Sequence, residues 1–337
     1  MARYIARRLL QAIPQLVIIS VVLFVLANTM GDPLASFGGR RRIRSDDRAR
    51  LRRRLGLDKP VLVQYVIWLV GNDWMQVDTD GDGVPDEPGT RKGMLRGDLG
   101  TSFMERRPVL EIIGERIGNT LLLMLTAEVV ILIFSLAIGM YSALRQYSVM
   151  DYVFTTFSFI GYSMPIFWLA LLLMYVFAVN FKQWGLPYFP TVGMYDLKVG
   201  KTVGQVAWHL ALPVATISIM SIANYSRYVR SQMLEVINQD YIRTAYAKGL
   251  PRRMVIMGHA LKNASLPLVT LVGLDLPLLV SGAVVTESIF AWPGMGRLFW
   301  DAAKDTDIPV LMGILLIIST LVVIFQILTD VAYTYLD

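Results

Sequence analysis

Three groups of residues in this chain could do chemistry. The first is Asp78–Gly89, DTDGDGVPDEPG. Asp78, Asp80 and Asp82 stand at alternate positions, Gly83 follows, the Val84 carbonyl comes next, and Asp86 lies two residues beyond. Hard oxygen ligands on alternate residues, with a glycine that permits a sharp turn, make the spacing of a calcium loop. The last ligand position holds Gly89 instead of a bidentate glutamate, so the expected affinity is weak, of extracellular grade. A flexible acidic turn has the same composition, and the residues leave both readings open.

The second group is Glu128, Asp275 and Glu287, carboxylates inside apolar runs. They are costly against lipid, so they are expected to face a bundle interior, a partner subunit or a water-filled path. Asp275 lies between Pro267 and Pro277. Those prolines free backbone carbonyls, which only packed or wet surroundings tolerate. Asp275 is therefore expected to border a translocation path or gate, with Glu128 a weaker candidate; a structural hydrogen bond to a neighbouring helix is the alternative for each. Glu287 falls near the outer end of its run, where a surface role competes.

The third group is Asp240 to Pro267, DYIRTAYAKGLPRRMVIMGHALKNASLP, a basic interruption between apolar runs. Asp240 suits an N-cap for a helix over Tyr241–Lys248, Gly249 the position beyond its end, and Pro251 a stop. Ala245 and Gly249 are four apart and share a side, with Thr244 beside them. The expected product is a short, rigid docking knob whose smooth spot is rimmed by Arg243, Lys248, Arg252 and Arg253. A solvated basic loop at the membrane surface is the plainer reading.

Other chemistries find little support. There are no cysteines, and His209 and His259 are 50 residues apart with no cluster of other ligands near them, so neither disulfides nor a transition-metal site are expected. The chain has no G-x-x-x-x-G-K-[ST] phosphate loop, no H-E-x-x-H and no G-x-S-x-G. The net charge of +6 comes from basic residues that flank apolar spans, which argues against nucleic acid as a partner.

The elements that must position these groups are transmembrane helices. Of 337 residues 55% are hydrophobic and 17% charged, a polytopic membrane composition. The predicted fold is all-α with six spans, near residues 9–30, 119–143, 153–181, 206–228, 266–290 and 309–335. Gly161 and Pro165 should bend the third. Residues 1–30 form the first helix, 31–118 a polar outer domain, and 119–337 a five-helix core with a cytoplasmic loop at 238–265. Within the outer domain a helix is expected near 46–55, ended by Gly56, and Val61–Gly71 is too short to span. With the N-terminus inside, short inner segments hold eleven Lys and Arg and short outer loops five, the long first loop holding the other sixteen. Long loops are largely exempt from the charge rule, so both termini are expected in the cytoplasm.

Several motifs together resemble a known family. Arg243-Thr244-Ala245…Gly249 and the following H-A-L-x-N-A-x-L-P resemble the "EAA" loop of ABC importer permeases, in the dipeptide/oligopeptide/nickel branch. L-G-L-D-x-P with Gln64-Tyr65, Gly97-Asp98-Leu99-Gly100-Thr101-Ser102, and Phe290-Ala291-Trp292-Pro293-Gly294-Met295-Gly296-Arg297-Leu298 resemble further motifs of that branch. The resemblance leaves out the segment around residues 72–92, within which Asp78–Gly89 looks like an inserted element. The resemblance implies a type I importer permease in a prokaryotic inner membrane, working by alternating access and not hydrolysing ATP itself. It implies that Arg243, Thr244, Ala245, Tyr246, Ala247, Lys248, Gly249 and Leu250 meet an ATPase subunit. It implies as partners a homologous second permease, two ATPase subunits or domains and an outer substrate-binding protein. Peptide is the expected cargo, with nickel or oligosaccharide as alternatives; a membrane-embedded enzyme or a passive channel is the remote one. No catalytic cofactor is expected, and calcium is a possible ligand of the outer loop.

Overall fold

The computed structural model describes residues 2–29, 45–265 apart from Asp80 and Gly83, residues 268, 271–273 and 275, and residues 283–336. Five described helices are long and apolar enough to cross a membrane: Ala6–Thr29, Val109–Leu144, Ile166–Gln183, Val203–Ile237 and Ile308–Thr329. The expected span at 266–290 falls largely outside the described residues. The chain divides into two units, residues 1–118 with 298–324 and residues 119–297 with 325–337.

In the first unit, α1 (Ala2–Thr29) meets α3 (Val61–Val70). Ser20 Oγ and Tyr65 Oη are 2.8 Å apart, and the Phe24 ring meets Tyr65 edge-on at 5.4 Å. Between them, α2 (Ser45–Arg54) ends where expected: Gly56 takes a φ of 70°, which a side chain would resist. A two-residue hairpin, β1 (Gln76–Val77) against β2 (Glu87–Pro88), closes the acidic loop, with Gln76 opposite Pro88. Its base is tied by Asn72, which is 1% exposed and exchanges backbone and side-chain bonds with Arg91 at 2.9 and 3.0 Å.

The Gly97–Ser102 motif acquires its reason from a residue that sequence reading passed over. Asp307, 3% exposed, accepts from Ser102 Oγ at 2.5 Å and from the Phe103 and Met104 amides at 3.2 and 3.3 Å. Buried carboxylates persist only when their lone pairs are filled in this way.

The second unit is built on α4 (Val109–Leu144, which begins in the first unit) and α7 (Val203–Ile237). Leu123, Ala127 and Ile131 of α4 pack in one buried cluster with Leu210, Val214, Val229 and Met233 of α7. The two helices approach closely at Gly139, where a Cβ would lie 2.6 Å from Val229 Cβ; small residues let membrane helices cross this tightly. The expected single span over 153–181 is instead two helices, α5 (Val149–Ser163) and α6 (Ile166–Met174). Met164 is extended, φ −83° and ψ 134°, because the ring of Pro165 excludes the helical region for the residue before it. A π-helical turn, Tyr175–Asn180, carries α6 on to Gln183.

Candidate functional site

The basic loop folds as α8 (Asp240–Ala247) followed by a turn and a π-helix, Val255–Leu261. The N-cap is Gln239, φ −74° and ψ 149°, not Asp240. Asp240 is already helical and places its carboxylate in the first turn, where it complements the positive end of the helix dipole and meets Arg243 at 3.5 Å. The C-terminus ends as the residues dictate. Gly249 sits at φ 77°, its amide bonds to the Tyr246 carbonyl at 2.9 Å, and the Leu250 amide reaches Ala245 at 3.4 Å. That is a Schellman stop, with Pro251 just beyond it.

The face of this helix differs from the expected one. Ala245 is turned inward, 7% exposed, and joins Ile242 at 2% in the cluster with Val255, Ile256 and Ala260. Ala245 therefore anchors α8 and is not part of a smooth exterior spot. Burying Ile242 alone is worth about 2 kcal/mol. The open face carries Tyr241, Arg243, Thr244, Tyr246, Ala247, Lys248 and Gly249, and nothing lies within 4 Å of where a Cβ on Gly249 would stand. Leu250 is half-buried against the same core. The result is a short helix held rigidly on one side and free on the other.

Two of the three expected intramembrane carboxylates come together. Glu128 of α4 is 8% exposed, and its Oε1 has no hydrogen-bond partner among the described residues. Asp275 is near enough to act on it electrostatically and accepts a hydrogen bond from Tyr225 Oη of α7. Tyr225 carried no signal in the sequence beyond a polar tip in an apolar run. The group of two carboxylates and a phenol can accept hydrogen bonds from a cationic or amide donor.

Glu287 belongs elsewhere. It is 0% exposed, which overturns a surface role. It lies in α9 (Val284–Ile289), and its oxygens accept from Thr120 Oγ1 at 2.8 Å and the Arg297 amide at 3.0 Å. Asn119 completes this clamp: its carbonyl takes the Trp292 indole N–H at 2.9 Å, and its Nδ2 donates to the Pro293 carbonyl at 2.9 Å. The aromatic glycine-proline turn is thus bolted to α4 by buried polar bonds. Trp292 itself is fully buried.

In the acidic loop, Asp86 accepts from the Thr79 amide at 2.9 Å and from its hydroxyl, which hold its carboxyl below the usual carboxylate range. Asp78 accepts from the Gly81 amide at 2.5 Å and Asp82 from the Val84 amide at 2.8 Å. Asp80 and Gly83 lie outside the described residues, and among the described ones no three His, Cys, Asp or Glu side chains converge as a metal site. His209 is buried in α7 with Nδ1 2.9 Å from the Gln205 carbonyl, while His259 is exposed.

Five described helices long and apolar enough to cross a membrane, buried polar groups and one anchored helix from a basic loop fit a membrane transport subunit. Comparison with known proteins gives the family. Residues 135–337 match the binding-protein-dependent transport system inner membrane component, and residues 1–124 match the N-terminal domain of the same membrane components. The chain belongs to this family. It is 40% identical to the oligopeptide transport system permease protein AppB of Bacillus subtilis, over 100% of this chain and 98% of that one. It is 39% identical to a putative peptide permease of Brucella suis, over 100% and 98% of the two chains. With the dipeptide transport system permease protein DppB of Escherichia coli K12 it shares 34% identity, over 99% and 97%. The chain is accordingly a multi-pass inner-membrane transport subunit.

Proposed function

We propose that this chain is half of the translocation path of an ATP-driven importer of di- or oligopeptides. The observation that carries the cargo is its similarity, over its whole length, to permeases named for oligopeptides and dipeptides. A homologous second permease would complete the path, an outer binding protein would deliver peptide, and two ATPase subunits would supply the energy. Both termini face the cytoplasm in this reading, which puts α8 there too.

Coupling falls to loop 238–265. The open residues Arg243, Thr244, Tyr246, Ala247, Lys248 and Gly249 would seat in the ATPase, while Ala245 and Leu250 fix the helix to the core. A rigid attachment matters because a motion of the ATPase is passed on only if the helix cannot yield locally; an effector shifts a two-state equilibrium by its differential affinity for the states. Glu128, Tyr225 and Asp275 border the path, where their oxygens would receive the ammonium and amide groups of a passing peptide. Glu287 holds the outer turn in shape. The acidic loop takes calcium through Asp78, Asp80, Asp82, the Val84 carbonyl and Asp86, once Asp78 and Asp82 release their turn amides.

The test is uptake and co-purification with the full transporter in native membranes. Lys248→Glu and Tyr246→Ala change only the open face of α8. The expected result is loss of the ATPase from the complex, or ATP hydrolysis that no longer responds to peptide, with the membrane spans intact. Unchanged binding and uptake in both variants would remove loop 238–265 from coupling.

A further inference from the structure

The outer part of the first unit contains a cavity that the transport reading does not use. It measures about 70 Å³, room for several water-sized groups or a short run of methylenes. Phe24 and Asn28 at the end of α1 line it, with Ile308 and Met312 at the start of α10 (Ile308–Leu336). Trp68 of α3 and Phe103 complete its apolar wall. One spanning helix ends here and another begins, so the cavity stands at a membrane surface. The helix α3 points to the same level. It is ten residues long, too short to span, and exposes Leu62 and Val66 to 81% and 50% on one side while Gln64 and Trp68 face the cavity on the other. An apolar helix of this kind lies in the interface plane, at the boundary of headgroups and acyl chains.

Into this apolar wall comes one cation. Arg91 lines the cavity, and no described residue accepts a hydrogen bond from its guanidinium. Burial lowers its pKa from the ordinary arginine value, and the charge of Asp98 acts the other way. Asp98 also lines the cavity, but its oxygens are occupied by the Lys92 amide at 3.0 Å and the Gly100 amide at 2.9 Å. A half-buried guanidinium without an acceptor is costly, and a phosphodiester satisfies it in bidentate fashion. Aromatic and aliphatic walls beside it suit a glycerol backbone and the first methylenes of an acyl chain, which inorganic phosphate lacks. Basic pockets between helix ends are a general mode of anionic-lipid capture.

We propose that this cavity binds an anionic phospholipid of the surrounding membrane, with Arg91 as the ligand of its phosphodiester. The lipid would brace α1, α3 and the start of α10 against one another.

The test uses the full-length chain in detergent and native mass spectrometry. Dioleoylphosphatidylglycerol, dioleoylphosphatidylcholine and inorganic phosphate are added separately. Retention of the glycerol lipid over the choline lipid, and none of phosphate, is expected. Arg91→Gln should weaken the glycerol lipid about tenfold or more, the loss of one charge-assisted contact. Lys198→Gln, which removes one charge from an exposed loop of the other unit, should leave binding unchanged. Equal retention of both lipids, or an Arg91→Gln chain that keeps its preference, overturns the proposal, and so does tight binding of phosphate alone. Should Arg91→Gln fail to fold, the native chain still decides. A photoactivatable phosphatidylglycerol is expected to label peptides bearing Trp68 or Phe103, and labelling confined to the lipid-facing residues of α1 refutes the site.

Discussion

At the scale of the residue, the buried polar clamps matter more than their number suggests. Glu287 keeps its carboxylate in the interior because Thr120 and the Arg297 amide fill its lone pairs. Gly294 is the residue that lets this happen, since a Cβ there would stand 2.3 Å from Glu287 Oε2 and 2.5 Å from Thr120 Oγ1. Gly294→Ala is expected to cost about 1–3 kcal/mol. Thr120→Val, which removes one bond from a buried carboxylate, should cost a similar amount, about 1–3 kcal/mol. Both are read as lowered thermal midpoints of the full chain in detergent. Asp86 gives a pH prediction with a definite sign. Thr79 depresses its folded pKa below the ordinary 3.8. Its contribution to the hairpin is therefore fully present above that value and is lost as pH falls through the lower, folded one. Amide exchange at residues 76–88 should stay protected down to about pH 4 and open below it, and Thr79→Val should move that opening upward in pH.

At the scale of the element, α8 keeps its buried face apart from the open face proposed to meet the ATPase, two roles that the sequence reading put on one side. Ile242 and Ala245 hold it to the core, and the residues between them face outward. Ile242→Ala should cost about 2–5 kcal/mol and loosen the whole helix, lowering the thermal midpoint. Tyr246→Ala should leave that midpoint unchanged and affect only ATPase contact. A helix that responded oppositely would have its faces reversed. Gly249→Ala should destabilise the turn by about 1 kcal/mol, because its φ of 77° suits only glycine. Whereas the N-cap fell one residue earlier than Asp240, the C-terminal end of the helix was legible because Gly249 and Pro251 punctuate it by backbone sterics. The helix face was not, because Ala245 sits beside residues brought from Val255–Ala260, and helical periodicity alone does not say which stripe meets them. The break at Met164–Pro165 has the same character: Pro165 was visible, but only the fold decided that it would sever the helix and not merely bend it.

At the scale of the molecule, orientation can be read directly. The natural chain has no cysteine, so single cysteines report without background. Lys248→Cys should react with an impermeant thiol reagent only from the cytoplasmic side, and Lys198→Cys only from the outer side. Labelling of both from one side would overturn the assignment of termini to the cytoplasm. The proposed calcium loop at residues 78–86 is tested at this scale as well. Millimolar calcium is expected to raise the thermal midpoint of the native chain and to have no effect on Asp82→Asn.

Composition and order of residues by themselves determined the class. Apolar runs of spanning length marked a polytopic membrane protein, and the Arg243–Gly249, Gly97–Ser102 and Phe290–Leu298 motifs placed it, by resemblance, among importer permeases. These signals are local: hydration cost, backbone sterics and charge act on neighbours in sequence. The tertiary structure alone decided which polar groups meet. Tyr225 finds Asp275 50 residues away, Thr120 finds Glu287 across 167, and Ser102 finds Asp307 across 205. A buried carboxylate must have partners, but its own position in the chain does not say from which helix they come.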